Sequence, residues 1–340
     1  MQIKTLTPAD YKKWDLFVDS CPYATFFHKS AWQPIIEQSF NHKTFFLYVE
    51  DEGEIKGILP LAQNKSLLFG NSLCSLPFCV YGGVAAVSDD ATNTLHDAAA
   101  KLATDLNVDH LELRYMAESN ANWNTKDLYV TFRKEIDPDP EVNMLAIPRK
   151  QRAMVRKGIK AGLVTEIDDD INRFFAIYSL SVRNHGTPVF KKKFFELLKY
   201  YFKDDCEVSV VIKDGVPISS VMSFYFRDEV LPYYGGGTLE ARKYKGFDFM
   251  YWDLMQRCCQ NGIKIFDYGR SKKGTGSFSF KKNWGFEPVD LPYQYKLFKA
   301  TEVPDVNPLN PKYQLFIKTW QKLPLPLANF IGPFISRSLG

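Results

Sequence analysis

The chain alternates between segments with helical periodicity and segments in which apolar and polar residues alternate as in strands. A helix is predicted over Thr7–Ser20, and a second helix opens at Ser30. Turn residues separate strand-like runs at Asp51-Glu52-Gly53 and at Asp214-Gly215, so each place predicts a β-hairpin. The other predicted strands are Leu67–Leu76, Val108–Arg114, Leu128–Ile136, Val230–Gly236 and Ile263–Phe266, and the other predicted helices are Asp90–Leu106, Pro148–Leu163, Asp170–Asn184, Phe194–Phe202 and Phe247–Asn261.

Two parts of the chain repeat the same order of predicted elements. The first has a hairpin, a strand that ends at Tyr81-Gly82-Gly83, a helix and the strand Leu111–Arg114. The second has a hairpin, a strand that ends at Tyr234-Gly235-Gly236, a helix and then Phe266–Arg270. Such internal similarity indicates a duplicated unit. The fold class predicted from it is α/β (α+β), with two similar domains that each contain a mixed sheet flanked by helices.

An acidic segment interrupted by prolines, Glu135–Pro148, is interpreted as the junction between these domains. The predicted limits are 1–137 for the first domain and 138–300 for the second. Residues 301–340 form a proline-rich extension, in which Lys312–Lys322 is predicted to be helical. The extension either packs across both domains or lies on a membrane interface. The residues that would contact the membrane are Trp320, Phe330, Ile331 and Phe334.

Composition narrows the class of protein. With 45% apolar and 24% charged residues over 340 positions, the chain suits two ordinary domains with real cores. The net charge of +4 does not by itself indicate a polyanionic partner, although the positive charge is clustered. Six cysteines without C-x-x-C spacing and five scattered histidines predict no metal site and a reducing, cytoplasmic setting. The N-terminus lacks the apolar core of a signal peptide, and no apolar run is long enough to span a bilayer.

The candidate chemistry gathers at the end of one predicted strand. Asp267, Arg270 and Ser271 follow the apolar run Ile263–Phe266, and a basic loop and an aromatic-rich return come next. A carboxylate, a guanidinium and a hydroxyl at a strand end are typical of a functional site, because the strand fixes them and the loop exposes them. The alternative is that Asp267 and Ser271 cap the turn while Arg270 pairs with a neighbouring acid. The spacing alone leaves both interpretations open.

A second cluster is a strongly basic helix over Pro148–Leu163. Its side chains Arg149, Arg152, Arg156 and Lys160 recur at helical spacing and share one face. Such a face suits phosphates or an acidic partner surface. The alternative is a solvated face that pairs with nearby acidic residues, which are Glu166, Asp168, Asp169 and Asp170.

Six short motifs occur in order along nearly the whole chain: Phe27–Trp32, Gly57–Leu61, Pro148–Lys157, His185–Phe190, Phe266–Ser271 and Phe280–Pro288. In this combination the chain resembles the FemAB family, which has tandem domains of the GNAT acyltransferase fold. The tail segments Trp320–Leu327 and Gly332–Phe334 resemble the branch of that family associated with exosortase and PEP-CTERM protein sorting.

The resemblance implies transfer of an acyl or aminoacyl group from an activated donor to an amine. The donor is either acyl-CoA or aminoacyl-tRNA, and no tightly bound cofactor is expected. The acceptor is an amine on a small molecule, peptide or glycan in cell-envelope, exopolysaccharide or protein-sorting metabolism. The expected location is cytoplasmic, with peripheral contact at the inner membrane through the extension. Such chemistry needs a base for the ammonium proton, donors for the developing oxyanion, and close alignment.

The resemblance also suggests roles for individual residues. The predicted catalytic residues are Asp267, as base or orienting carboxylate, with Arg270 and Ser271. Lys281, like Arg270 and Ser271, is expected to hold a carbonyl, phosphate or carboxylate group. The full set predicted to bind substrate is Lys281, Trp284, Tyr234, His185, Thr187, Arg152 and Arg156.

One segment departs from the GNAT pattern. A GNAT domain that binds CoA presents a glycine-rich loop after its central strand, and the amides of that loop hold the pyrophosphate. Here Arg242–Phe247 has one glycine and three basic residues, which is compatible with a donor held by side-chain charge. The predicted cofactor-binding residues are Arg242, Lys243, Lys245 and Gly246.

Two other classes of protein remain compatible with the sequence. One is a non-catalytic binding module in which the basic helix and the lysine-rich loop bind RNA or an anionic glycan. The other is a scaffold that docks at the inner membrane through the tail. Insensitivity of binding to changes at Asp267 and Arg270 would favour the first, and release from the membrane on removal of the tail would favour the second.

Overall fold

The computed structural model of the chain describes residues 1–66, 70–117, 122–304 and 311–339, without the side chains of 311–313. The elements of the N-terminal half are β1 (Gln2–Thr5), α1 (Tyr11–Ser20), α2 (Trp32–Phe40), β2 (Lys43–Asp51), β3 (Glu54–Ser66), β4 (Gly70–Cys74), β5 (Ala85–Ala86), α3 (Asp89–Asp105), β6 (His110–Arg114), β7 (Asn124–Lys126), β8 (Tyr129–Thr131) and β9 (Arg133–Glu135).

The C-terminal half alternates helices and strands and then ends in helices. Its elements are α4 (Pro140–Ala146), α5 (Arg149–Lys160), β10 (Val164–Asp168), α6 (Asn172–Asn184), α7 (Lys192–Phe202), β11 (Cys206–Lys213), β12 (Val216–Phe226), β13 (Glu229–Gly237), α8 (Leu239–Tyr244), α9 (Gly246–Gln260), β14 (Ile265–Asp267), β15 (Ser271–Lys272), α10 (Gly276–Asn283), β16 (Val289–Asp290), β17 (Tyr293–Leu297), α11 (Pro311–Trp320) and α12 (Leu325–Ser336).

Internal contacts divide the chain into two compact units. The first comprises Met1–Tyr129 with Asp290–Val306 and Phe334–Gly340, and the second comprises Val130–Val289 with Asn307–Pro333. The predicted limits 1–137, 138–300 and 301–340 concern domains that fold independently, which contacts do not measure. Those limits stay a prediction.

Each unit is built on a mixed sheet with one parallel strand pair. In the first unit the order is β1-β2-β3-β4-β6-β17-β7, with β5 beside β3, and only β4 and β6 run parallel. In the second unit the order is β10-β11-β12-β13-β14-β9, and only β13 and β14 run parallel. A helical crossover joins each parallel pair, α3 in one unit and α8 with α9 in the other. The predicted fold class and the predicted duplication are therefore confirmed.

The two hairpins form where the turn residues predicted them. Glu52 and Gly53 have φ of +49° and +83°, and Asp214 and Gly215 have φ of +50° and +78°. Two consecutive positive φ values match the right-handed twist of the flanking strands, and Gly adopts such values without steric cost. The turns thereby set the registers that pair β2 with β3 and β11 with β12.

Three predictions made from the sequence need correction. The expected strand Leu128–Ile136 is two short strands, β8 and β9. Tyr81-Gly82-Gly83 lies after β4 in irregular backbone, where the amides of Gly82 and Gly83 donate to the Arg114 carbonyl. Of the expected strand Leu67–Leu76, residues 67–69 lie outside the described residues and β4 covers only the later part.

The acidic junction is also more ordered than predicted, because it contains α4. The Asp139 carboxylate accepts a hydrogen bond from the Glu141 amide at 2.9 Å, and Pro140 occupies the first turn. An acidic N-cap followed by proline is a strong start signal for a helix. Asn143 then fixes this segment by accepting from the Asp137 amide at 2.9 Å and donating to the Asp137 carbonyl at 2.7 Å.

The extension also contains a helix that was not predicted, α12, after the expected helix near α11. Near α11, the Gln321 carbonyl accepts a hydrogen bond from Arg183 at 3.0 Å. Further along, the carbonyls of Arg337 and Ser338 accept hydrogen bonds from His42 and Asn64.

All six cysteines are buried free thiols. In the described ranges, no helix has the length and apolarity needed to cross a bilayer. The same residues contain no group of histidine, cysteine, aspartate and glutamate side chains arranged to hold a metal ion.

Candidate functional site

The second unit opens a wedge between its two parallel strands. β13 pairs with β14 only through Glu229 with Ile265 and Val230 with Phe266, although β13 continues to Gly237. Its other edge stays paired with β12 along its whole length, with a bulge at Tyr233. Carboxyl ends of parallel strands that separate in this way are common ligand sites, and bulges are frequent beside them.

Asp267 ends β14 as a buried anchor for the turn that follows. Its side chain is inaccessible to solvent, and its Oδ1 accepts from the Gly269 amide at 2.6 Å and from the Thr131 hydroxyl at 3.4 Å. Its Oδ2 lies 3.4 Å from Nε of Arg133, which also pairs with Glu229. Gly269 has φ of +64°, which favours glycine. Of the two predicted roles for Asp267, these contacts favour orientation of the turn over proton abstraction.

Lys281 extends from α10 to the same turn. Its Nζ donates to the carbonyl oxygens of Gly269 at 2.9 Å and of Arg270 at 3.0 Å. Burial lowers the pKa of Lys281 to about 7, while Asp267 raises it and the Arg270 guanidinium lowers it. The amine therefore exchanges a proton near neutral pH, as an acid–base catalyst must.

Ser271 lies one residue beyond this contact, at the start of β15. Its side chain is buried, and its Oγ has no hydrogen-bond partner among the described residues. A buried hydroxyl normally finds a partner, so this one is available to a ligand. The structure thus brings Asp267, Arg270, Ser271 and Lys281 together at the carboxyl end of β14.

Trp284, which was predicted to bind substrate, lies in the hydrophobic core of the second unit. It is 0% exposed and lies among Tyr251, Tyr268 and Phe280, with ring centroids 6.2 to 6.4 Å from its own. Lys281 lies on α10 and Trp284 lies just beyond its end, about one helical turn further along the chain. Lys281 donates to the backbone of the turn, whereas Trp284 packs against Tyr251 of α9 and the ring of Tyr268.

A buried carboxyl that the sequence analysis missed lies beside this core. Asp248, in the first turn of α9, accepts a hydrogen bond from the Gln151 amide on α5. Burial raises the pKa of Asp248 to about 6, against the opposing effect of that hydrogen bond.

The raised pKa of Asp248 predicts that the free energy of unfolding depends on pH. Between about pH 4 and pH 6 the folded protein holds a proton on Asp248 that the unfolded chain has released, so stability falls as pH rises through this window. Asp248→Asn removes this titration. We expect the variant to gain up to about 3 kcal/mol relative to the wild type between pH 4 and pH 7, measured by urea unfolding. A constant difference across that range would contradict the assignment.

The basic helix α5 is exposed, and the acidic residues expected to neutralise its positive charge do not pair with it. Glu166 and Asp168, its expected partners, pair with Arg173 instead. In the described parts of the chain, none of the six basic side chains of α5 forms an ion pair. Gly158 of α5 lies against Phe249 and the Lys245 carbonyl, so the helix runs beside the start of α9.

The residues predicted to bind the donor cofactor lie near the start of α9. Arg242 and Lys243 end α8, Lys245 has φ of +62°, and Gly246 is the first residue of α9. Gly246 is packed tightly, because a Cβ there would lie 3.1 Å from Ser219 Oγ and 3.2 Å from the Ala241 Cα. The short helix α8 therefore occupies the place after β13 where the GNAT pattern would have a glycine-rich loop. Because α5 contacts the start of α9, we call the cations of α5 and of this segment together the α5–α9 surface.

Three predicted residues lie away from the turn. Tyr234 packs in an aromatic cluster with Phe194 and Phe195, at centroid distances of 5.9 and 5.3 Å. His185 follows α6, and its Nδ1 contacts the Ser181 carbonyl of the same helix at 2.7 Å. The adjacent Gly186 lies against Ile317 of α11, and Thr187 is exposed. No contact in the described residues connects His185 or Thr187 with Lys281.

The geometry defines a GNAT-type acyltransferase fold. Residues 147–282, which include α5, the wedge and Lys281, match the family model described as an acetyltransferase (GNAT) domain. No curated protein sequence matches the chain.

Solved structures extend this similarity to both units. The crystal structure of FemX is 15% identical, covers 93% of this chain and 100% of its own, and has a TM-score of 0.67. A tandem GNAT protein from the clavulanic acid biosynthesis pathway is 10% identical, covers 89% and 99%, and has a TM-score of 0.56. The C-terminal domain of a putative lysylphosphatidylglycerol synthetase from Agrobacterium fabrum is 12% identical, covers 84% and 91%, and has a TM-score of 0.56. These likenesses show a tandem GNAT fold.

Proposed function

We propose that the protein is an N-acyltransferase that moves an acyl or aminoacyl group from a phosphate-bearing activated donor to an amine acceptor in cell-envelope, exopolysaccharide or protein-sorting metabolism. The observation that carries the proposal is Lys281, an amine with a pKa near neutrality, held at the carboxyl end of the parallel strand pair. The similarity to FemX and to a lysylphosphatidylglycerol synthetase supports the aminoacyl alternative, and the GNAT model supports acyl-CoA. The link to exosortase and PEP-CTERM sorting rests on the tail motifs alone.

The proposed reaction needs one proton transfer and one displacement. The neutral acceptor amine attacks the acyl carbonyl carbon, and a C–N bond forms. The carbonyl then re-forms, and the bond to the donor's sulfur or oxygen breaks with its electron pair. Neutral Lys281 takes the proton that the attacking nitrogen loses, and returns it to the leaving sulfur or oxygen.

Other residues of the turn have positioning roles in this proposal. Asp267 holds the Gly269 amide and thereby the two carbonyls to which Lys281 donates. The Ser271 hydroxyl, one residue beyond this contact and without a hydrogen-bond partner among the described residues, donates to the developing oxyanion in this proposal. The part of β13 beyond Val230, which does not pair with β14, offers backbone groups to an extended donor in this proposal.

The donor is held by charge in this proposal. The α5 cations of the α5–α9 surface form no ion pair in the described residues, and both CoA and tRNA carry phosphates that such cations bind. A thermal-unfolding experiment with a panel of acyl-CoAs, and separately with charged and uncharged tRNA, distinguishes the two. A ligand at about a hundred times its dissociation constant stabilises the protein by roughly 2.7 kcal/mol. Stabilisation by neither class would contradict a phosphate-bearing donor.

Neutralising part of α5 is expected to weaken donor binding in a salt-dependent way. Replacing both Arg152 and Arg156 by glutamine removes two cations, so the slope of log K against log salt should fall by about 1.4 to 1.8 if both contact phosphates. The measurement is a binding titration over a range of salt with whichever donor stabilises the protein. The matched control replaces Lys12 and Lys43, two exposed cations of the first unit, and should leave the slope unchanged.

The unpaired cations of α5 also favour a second candidate, a non-catalytic module that binds RNA or an anionic glycan. This candidate predicts binding by the α5–α9 surface without turnover of any donor. It also predicts that changes at Lys281 alter nothing but stability.

A further inference from the structure

The last helix, α12, exposes several large apolar side chains, while its fully buried residues are small. Ala328, Gly332 and Ser336 form its buried face, and all three are small. Gly332 sits against the backbone of Val189, where an added Cβ would lie 3.0 Å from the nitrogen. A surface helix normally buries its large apolar residues and exposes polar ones. Here the close approach at Gly332 leaves no room for a side chain between the two backbones at that position.

The outer face of α12 carries the large apolar side chains. Leu327, Phe330 and Phe334 follow one another at helical spacing and are 43%, 70% and 67% exposed. Leu315 on the preceding helix α11 is 75% exposed. Single exposed apolar residues are ordinary, but a helical row of leucine and phenylalanine marks an interaction site.

The charge around this row has one sign. From Pro311 to the end, the sequence contains four basic residues and no aspartate or glutamate. Lys318, Lys322 and Arg337 are exposed on or beside α11 and α12. A helix with an apolar outer row and basic neighbours is complementary to a surface that is apolar inside and negatively charged outside.

We propose that α12 docks the protein on the surface of an anionic phospholipid bilayer. The helix has 12 residues, so it lies in the interface and does not cross the membrane. Leu327, Phe330 and Phe334 enter the boundary between headgroups and acyl chains, while the nearby cations contact the headgroups. Trp320, which the sequence assigned to this contact, is buried and takes no part. The inference does not depend on the transfer reaction.

Vesicle flotation of the purified full chain tests this proposal. The protein is mixed with vesicles of phosphatidylcholine, with or without phosphatidylglycerol, and centrifuged through a density gradient. We expect the wild type to float only with the anionic vesicles, and high salt to release it. Replacing both Phe330 and Phe334 by serine should lower the partition coefficient by about tenfold or more. Both side chains are largely exposed, and the thermal unfolding temperature of the variant is measured to establish that it is folded.

Control experiments distinguish binding of α12 to a membrane from binding to a second copy of the protein. Replacing Leu16 and Tyr200 by serine removes two comparably exposed apolar residues elsewhere and should leave flotation unchanged. Failure of the wild type to float, or equal flotation of the Phe330 and Phe334 variant, would overturn the proposal. So would dimers in sedimentation that the same variant dissociates, because the row would then bind a second copy. Transfer to a water-soluble acceptor should be unaffected by the variant, which keeps this test apart from that of the proposed function.

Discussion

Replacing Lys281 by methionine is expected to reduce acyl transfer by about a hundredfold to ten-thousandfold while the protein stays folded. Methionine fills similar space but cannot exchange a proton or donate to the carbonyls of Gly269 and Arg270. The measurement is the single-turnover rate with the donor that stabilises the protein. Loss of the lysine charge should not lower the stability of the variant at neutral pH, because burial disfavours the charged amine.

The neighbouring lysine provides a matched control for this prediction. Lys282 is exposed, and Lys282→Met should leave the rate close to that of the wild type. The pH profile adds a second readout: wild-type activity should rise with pH through an apparent pKa near 7 as Lys281 loses its proton. Lys281→Arg keeps a charge but does not deprotonate, so it should be as inactive as the methionine variant. Full activity of Lys281→Arg would contradict the acid–base role.

Replacing Trp284 by alanine is expected to destabilise the second unit by about 3 to 5 kcal/mol. The indole is fully buried between Tyr251, Tyr268 and Phe280, so its removal leaves a cavity in this core. Chemical denaturation, followed by a probe in the second unit, measures the loss.

The control for this prediction is Trp284→Phe, which keeps most of the apolar contact and should cost clearly less. A direct role in substrate binding predicts the opposite pattern. In that case Trp284→Ala would weaken substrate affinity with little change in the free energy of unfolding.

The structural features that could be predicted best are those specified by residues adjacent in the sequence. The hairpins at Glu52-Gly53 and Asp214-Gly215 form because two adjacent residues with positive φ specify the turn. The same kind of local signal was present at Asp139-Pro140, where an N-cap and a first-turn proline start α4. That signal was interpreted as a linker because acidic residues and prolines are also typical of linkers.

Part of the candidate site was also accessible from the sequence. Asp267, Arg270 and Ser271 are near neighbours, and the motif around Lys281 placed that residue with them. Arg133 and Asp248 were missed because their partners are far away in the chain, Asp267 for Arg133 and Gln151 for Asp248. The core position of Trp284 was not predicted, because an aromatic residue near a basic loop has the same sequence pattern whether it faces a ligand or a core.

The position of β17 has a consequence for how the chain folds during synthesis. This strand comes from residues Tyr293–Leu297, yet it lies between β6 and β7 in the sheet of the first unit, and the Tyr293 hydroxyl donates to the Val80 carbonyl at 2.5 Å. The N-terminal sheet therefore keeps a gap until the chain as far as Leu297 has left the ribosome. Its strands β6 and β7 stay unpaired edges throughout that time, and such edges are prone to aggregate. Closure of the first unit is thus a late, long-range step that follows synthesis of the entire second sheet.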